Sequence, residues 1–227
     1  MEILFPEFLP ALAAIVVIDL VLAGDNAIVI ALAARNLPKH LKTRAIVWGT
    51  LGAIIVRTLL TLGVVWLLKV PGLMLAGGLM LLWIAYRLLT QQEGEGHDVS
   101  AAVSFWGAMQ TIVVADAVMG LDNVLAVAGA ASGSWILVVC GLVISIPIVI
   151  WGSTLILKWI ERFPSIVYFG GAVLAWTAAK MALGEPFVQE WLTGARATWP
   201  IYAACIGGTL GLAWLGKRRR LSTVQHS

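Results

Sequence analysis

The sequence predicts an all-α membrane protein of seven transmembrane helices, an inverted repeat of 3+3 helices plus one C-terminal helix. Three observations predict it. Of 227 residues, 60% are hydrophobic and only 12% charged, whereas a soluble domain carries about 25% charged residues. So little charge cannot cover a folded surface in water, and lipid must be the solvent. The apolar residues fall in long runs and do not alternate with polar ones, which excludes a membrane β-barrel. Finally, one acidic motif occurs twice, 97 residues apart. An ordinary soluble protein, a disordered chain and a coiled coil are excluded by the same composition.

A spanning helix needs about 20 mostly apolar residues. Seven runs qualify: roughly 8–34, 44–68, 71–90, 100–131, 134–157, 164–183 and 199–216. The first is no signal peptide. It is too long, and acidic Glu2 and Glu7 precede it where basic residues would be expected. Pro147 lies inside the fifth run and is read as a kink tolerated in lipid. Trp66, Trp135, Trp159, Trp191 and Trp199 fall near span ends, where amphipathic rings anchor at the headgroups. His40, His97 and His226 sit in loops or tails and are read as solvated. Residues 91–98 form an acidic linker, whose side chains would also suit a weak metal-sensing loop. Cys140 and Cys205 lie singly in apolar runs, so neither a disulfide framework nor a CxxC metal site is present.

Orientation follows from Lys and Arg. Of 15 basic residues, 11 belong to one set of loops: Arg35, Lys39, Lys42, Arg44, Arg87, Lys158, Arg162 and the run Lys217 to Arg220. Lys69, Arg196 and Lys180 belong to the other side, and Arg57 is inside a span. The bias places the N-terminus outside and the C-terminus in the cytoplasm, as an odd number of spans requires.

The first run reads Val16-Val17-Ile18-Asp19-Leu20-Val21-Leu22-Ala23-Gly24-Asp25-Asn26. The fourth reads Val113-Val114-Ala115-Asp116-Ala117-Val118-Met119-Gly120-Leu121-Asp122-Asn123. Over 19 aligned positions nine residues are identical, including three polar ones, which apolar composition does not explain. The match resumes with Gly77-Gly78, Leu81, Trp83 and Ala85 against Gly170-Gly171, Leu174, Trp176 and Ala178, at a shift of 93. Spans two and five match poorly. The chain therefore divides into a first three-helix unit with the linker (1–98), a second unit (99–185), and a seventh helix with a basic tail (186–227). Three is odd, so the second unit enters the membrane from the opposite side, an arrangement that secondary transporters use to build a midplane site.

Asp19, Asp25, Asp116 and Asp122 all lie within spans, and each costs about 2.5–3.5 kcal/mol at the bilayer centre on insertion scales. Asp19 and Asn26, seven apart, share one helical face. Gly24 and Gly120 would let the backbone open beside the carboxylates, giving a two-layered oxygen cage. Carboxylate, amide and carbonyl oxygens suit hard cations such as Mg²⁺, Ca²⁺ and Mn²⁺. The candidate metal residues are thus Asp19, Asp25, Asn26, Asp116, Asp122 and Asn123. Met119 could add a softer ligand, and Gln110 could line the approach. Arg57 would compensate charge, either holding the empty site together or releasing it when a cation enters. Four carboxylates exceed what one divalent ion neutralises, so coupling to protons is a natural consequence.

The two motifs, Asp19-Leu-Val-Leu-Ala-Gly-Asp25-Asn26 and Asp116-Ala-Val-Met-Gly-Leu-Asp122-Asn123, in a seven-span chain, resemble the TerC family of integral membrane proteins. The likeness covers almost the whole chain. The resemblance implies Mn²⁺ export across the bacterial cytoplasmic membrane, with some members supplying metal to secreted enzymes. It implies a minimal member with no appended soluble domain, and carries over to the six Asp and Asn residues above. Tellurite chemistry has no basis in the residues.

The partners expected are therefore the bilayer, a metal cation as transported substrate and protons, with no permanently bound cofactor and no nucleic acid. A membrane scaffold that hands metal to a secretion machine would need the same site. An intramembrane aspartyl protease fits less well, because neither motif contains Gly-x-Gly-Asp and four carboxylates exceed a dyad. An amino-acid exporter fits this acidic cluster less well than a cation carrier does. No enzymatic activity is expected.

Overall fold

The structure is a computed structural model that describes residues 5–67, 70–91, 101–130, 134–192 and 198–224. The linker after Gln91 lies outside the described residues. Regular structure among the described residues is helical throughout, in the order α1 (Phe5–Ala34), α2 (Lys39–Leu62), α3 (Val64–Leu67), α4 (Leu73–Thr90), α5 (Ala101–Ala130), α6 (Trp135–Arg162), α7 (Ile166–Gly184), α8 (Pro186–Leu192) and α9 (Thr198–Val224).

Five of these are long and apolar enough to cross a membrane: α2, α4, α5 over Ser104–Leu121, α6 and α7. The two arms of α1, Phe8–Leu20 and Gly24–Ala34, meet at 47° and make a sixth if taken as one span. The seventh predicted span falls short of that standard. α9 is helical and packed, but four glycines and the basic run from Lys217 dilute its apolar character. Elsewhere the sequence boundaries shift in explicable ways. The second span stops at Gly63 and a separate short α3 follows. The fifth runs on to Arg162, so Lys158 lies within α6, and Pro164 then prevents continuation. Ser134 starts α6 by accepting the backbone N–H of Leu137. Pro147 is carried inside α6 without ending it.

The halves interlock by exchange. α1 packs mainly on α6, α2 mainly on α5, and α4 on α7. Glycines mark the close approaches. A Cβ on Gly49 would lie 2.8 Å from Ile112 Cδ1, and a Cβ on Gly141 would collide with Ile15. Ile15 and Ile112 are equivalent in the 97-residue repeat. In the same way Gly78 faces Ala178 and Ala182, while Gly171 faces Leu89. Ala182 and Leu89 are equivalent at the 93-residue shift. Each contact is thus matched by its counterpart with the roles of the halves swapped. α4 and α7 run antiparallel, since residue 78 lies by 182 and residue 89 by 171.

One end of the bundle gathers the first set of basic residues. Arg35 donates to the carbonyls of Leu88 at 3.0 Å and Gln91 at 2.8 Å, closing the C-terminus of α4. Lys42 pairs with Glu161 at 2.6 Å. Gly216 of α9 lies against Tyr86 and Thr90 of α4. At the other end Glu185, 3% exposed, accepts from the backbone N–H groups of Gly72 (2.8 Å), Met74 (3.1 Å) and Leu75 (3.4 Å). A carboxylate there satisfies orphan donors and the positive end of the α4 dipole. Gly72 turns into α4 at φ +81°, which suits glycine. On that side Trp176 and Tyr202 stack at 4.3 Å, binding α9 to α7.

Candidate functional site

Asp19 on α1 and Asp116 on α5, the first repeat-related pair, meet in the interior. What joins them is Arg57 from α2. Its Nη1 donates to Asp19 Oδ1 at 2.5 Å and its Nε to Asp116 Oδ2 at 3.2 Å, and its Nη2 donates to Asp116 Oδ1. Asp116 is thus held by the guanidinium fork at two points and Asp19 at one. All three are buried, with exposures of 3%, 4% and 6% for Asp19, Arg57 and Asp116. The formal charge of the triad is −1. Removal from water is offset only because both ions of each pair are hydrogen-bonded.

Local sequence explains how Arg57 reaches so far inward. It lies on the buried stripe of α2 that includes Gly49, Thr50, Ala53 and Thr61. Facing it on α5 is Gly120, where a Cβ would already touch Arg57 Cγ at 3.7 Å and Nε at 3.8 Å. A longer side chain there would displace the guanidinium. Gly120 therefore gives Arg57 room, and α5 stays helical through it, contrary to the open backbone expected at that glycine. On α1 the counterpart does bend, at the junction just before Gly24.

Asp25 is half-buried beyond that bend. Its Oδ1 accepts the backbone N–H of Asn26 at 3.0 Å and its Oδ2 accepts the hydroxyl of Thr177, on α7, at 3.1 Å. Asn26 is 2% exposed, and neither its Oδ1 nor its Nδ2 has a partner among the described residues. A buried amide with four unused hydrogen-bonding positions is costly unless something polar meets it. Asn123 is buried on α5. The side chain of Asp122 lies outside what the structure describes. Among the described residues no three His, Cys, Asp or Glu side chains come together as a metal site. The two carboxylates that do converge converge on Arg57.

Met119 is 2% exposed and buried in the main core. Gln110 is exposed, off the buried stripe of Ala108, Ile112, Ala115 and Met119. Thr177, which holds Asp25, gives no signal in the sequence as a lone threonine in an apolar helix. Trp83 and Trp176 align in the repeat, so Ile84 stands where Thr177 does, and that mismatch was the available clue.

Comparison with known proteins gives a consistent result. The model described as "Integral membrane protein TerC family" matches residues 4–220. The chain is 46% identical over 179 residues to the uncharacterized membrane protein YjbE of Bacillus subtilis (strain 168), covering 79% of this chain and 82% of YjbE. It is 30% identical to the UPF0053 protein YegH of Escherichia coli (strain K12), covering 71% of this chain but 34% of YegH. It is 27% identical to the UPF0053 inner membrane protein YgdQ of the same strain, covering 69% of this chain and 73% of YgdQ. No solved structure matches.

Proposed function

The chain belongs to the TerC family of integral membrane proteins, and from that premise we propose that it is a secondary transporter exporting a divalent metal cation, Mn²⁺ first among them. It would act by alternating access in the bacterial cytoplasmic membrane, with the N-terminus outside, the C-terminus inside and α9 as a seventh span. The observation that carries this reading is the convergence of Asp19 and Asp116, one from each half, on a single buried arginine between α1, α2 and α5. Charges placed so deep are costly, and interhelical adhesion needs no repeat-related pair of them. The reciprocal packing of α1 on α6 and α2 on α5 supports two related units, 1–98 and 99–185, arranged about a shared site.

Asp25 and the unpartnered amide of Asn26 supply the oxygens that a hard cation would take beside this triad. The substrate would enter from the end where Arg35, Lys42 and Glu161 lie and leave at the end of Glu185. Protons returning to carboxylates vacated by the metal would balance the cycle.

The test is flux in proteoliposomes enclosing a Mn²⁺-sensitive dye. The wild-type chain should move Mn²⁺ and respond to an imposed pH gradient. Asp25→Asn, and equally Asp122→Asn, should abolish flux while leaving the thermal transition in place. Asparagine keeps size and hydrogen bonding but removes the charge. Wild-type rates in both variants would remove these carboxylates from the pathway. Binding of Mn²⁺ with no flux would favour a metal-supplying scaffold.

A further inference from the structure

Aligning α2 with α6 through Gly49 and Gly141, the glycines that meet Ile112 and Ile15, sets a register of 92 residues between the two helices. The register is supported one helical stretch further on. Thr61 donates to the carbonyl of Arg57, and Ser153, its counterpart, donates to the carbonyl of Val149. Val149 therefore stands where Arg57 does. The carboxylates of the site come in symmetric pairs, but the cation that holds them comes from one half only.

From this we infer that Arg57 is a tethered competitor for the transported cation: its guanidinium occupies the place between Asp19 and Asp116 in the cation-free protein and must leave when the metal binds. The inference rests on the transport reading above. Three of the guanidinium's hydrogen bonds go to the two carboxylates, Nε and Nη2 to one and Nη1 to the other, so the facing oxygens are already engaged. A divalent ion between the same two carboxylates would neutralise them fully, where Arg57 leaves −1. A polar group that could receive the departing arginine lies on its own helix. Gly120 presents no side chain against it, and Thr50, two turns back on the same face, keeps a buried hydroxyl with no partner among the described residues. Side chains on a helix lean toward its N-terminus, which is the direction of Thr50. An empty carrier held this way keeps α2 strapped to α1 and α5, and the metal, joining the two carboxylates itself, releases α2.

A competitor lowers apparent affinity by the fraction of time it leaves the site free. The inference is tested on the full chain in nanodiscs by titration calorimetry with Mn²⁺, using Arg57→Gln and Arg57→Lys. Arg57→Gln should bind Mn²⁺ about tenfold tighter or more, with slower flux because release is impeded. Arg57→Lys keeps the charge but loses the planar fork, and should fall between the two. A fixed structural clamp predicts the opposite order, since its loss would loosen the site. Binding by folded Arg57→Gln that is unchanged or weaker than wild type overturns the inference. If Arg57→Gln cannot be purified even with Mn²⁺ present, Arg57→Lys decides: tighter binding supports the inference and unchanged or weaker binding overturns it. Failure of the underlying reading is separate, and appears as wild-type protein that neither binds nor moves Mn²⁺.

Discussion

In the first half α1 bends by 47°, α2 brings Arg57 into the core, and Asp25 lies against a threonine hydroxyl. In the second half α5 stays helical through its glycine and α6 has Val149 at the place of the arginine, while the residue matched to Thr177 is Ile84 of the first half. The backbone contacts are nevertheless exchanged in matched pairs, glycine to isoleucine and glycine to the equivalent of its partner. The halves share a packing plan and differ in where polar groups are placed. Packing needs small residues at each crossing, so both halves keep them. A charge needs only one countercharge, so one half supplies it for both.

The sharpest way to break the comparison is to remove each carboxylate of the central triad separately. Asp116→Asn replaces the carboxylate held at two points by an amide that accepts without the charge, and leaves Arg57 ion-paired with Asp19 alone. Weakening two charge-assisted bonds should cost about 3 kcal/mol or more. Asp19→Asn removes one charge-assisted bond and should cost about 1.5–3 kcal/mol. Thermal unfolding in detergent, followed by near-ultraviolet circular dichroism of the tryptophans, should rank Asp116→Asn as the more damaging. Equal losses would mean that Arg57 shares itself evenly and that the triad is as symmetric as the repeat.

A second comparison tests the packing plan itself. A Cβ on Gly78 would lie 2.6 Å from the carbonyl oxygen of Ala178, which is backbone and cannot yield alone. Gly78→Ala should then force α4 and α7 apart, at about 1–3 kcal/mol. A Cβ on Gly171 would lie 2.6 Å from Leu89 Cδ1 and 2.8 Å from its Cγ, a side chain that yields by repacking where a backbone carbonyl does not. Gly171→Ala should cost less in the same unfolding assay. The reverse order would show that the core around Leu89 is the stiffer side.

Much of this plan was legible in the sequence, for physical reasons that differ by residue. Helices α1, α2, α4, α5, α6 and α7 were visible because lipid demands long apolar runs, and the linked Asp-Asn motifs because acids are so rare inside them. α9 was visible as an apolar run but its glycines weaken it as a span. The register of α2 on α6 was not legible. Those helices preserve only what their crossings need, Gly49 with Gly141 and Thr61 with Ser153, while the residues that face outward are free to drift. That the carboxylates of α1 and α5 would meet and that Arg57 would compensate their charge could be anticipated from the repeat, but not that Asp19 would be joined to Asp116, since the inversion suggested Asp19 at the depth of Asp122. The Arg57 guanidinium lies against Gly120, a contact between helices that has no local spacing in the chain. Thr177 and Glu185 were hidden because a hydrogen bond to a distant helix has no local spacing.

The smallest expected effect concerns the surroundings of Asp25. Thr177 donates to Asp25 Oδ2 while Asn26 N–H holds Oδ1, so both carboxylate oxygens are oriented before any cation arrives. Thr177→Val keeps the shape and removes the donor, a loss of about 1 kcal/mol, or about fivefold in Mn²⁺ affinity if the hydrogen bond survives in the loaded site. The matched change in the other half, Ile84→Thr, introduces a hydroxyl at a buried position, 3% exposed. That hydroxyl can satisfy itself on the carbonyl four residues earlier, as Thr61 and Ser153 do. Its cost should therefore be lost packing, seen as a lower melting temperature with Mn²⁺ affinity unchanged. Affinity should fall in the first variant and stability in the second. A fall in affinity of the same size in both would mean that the two halves contribute alike to the site, and that Thr177 orients nothing.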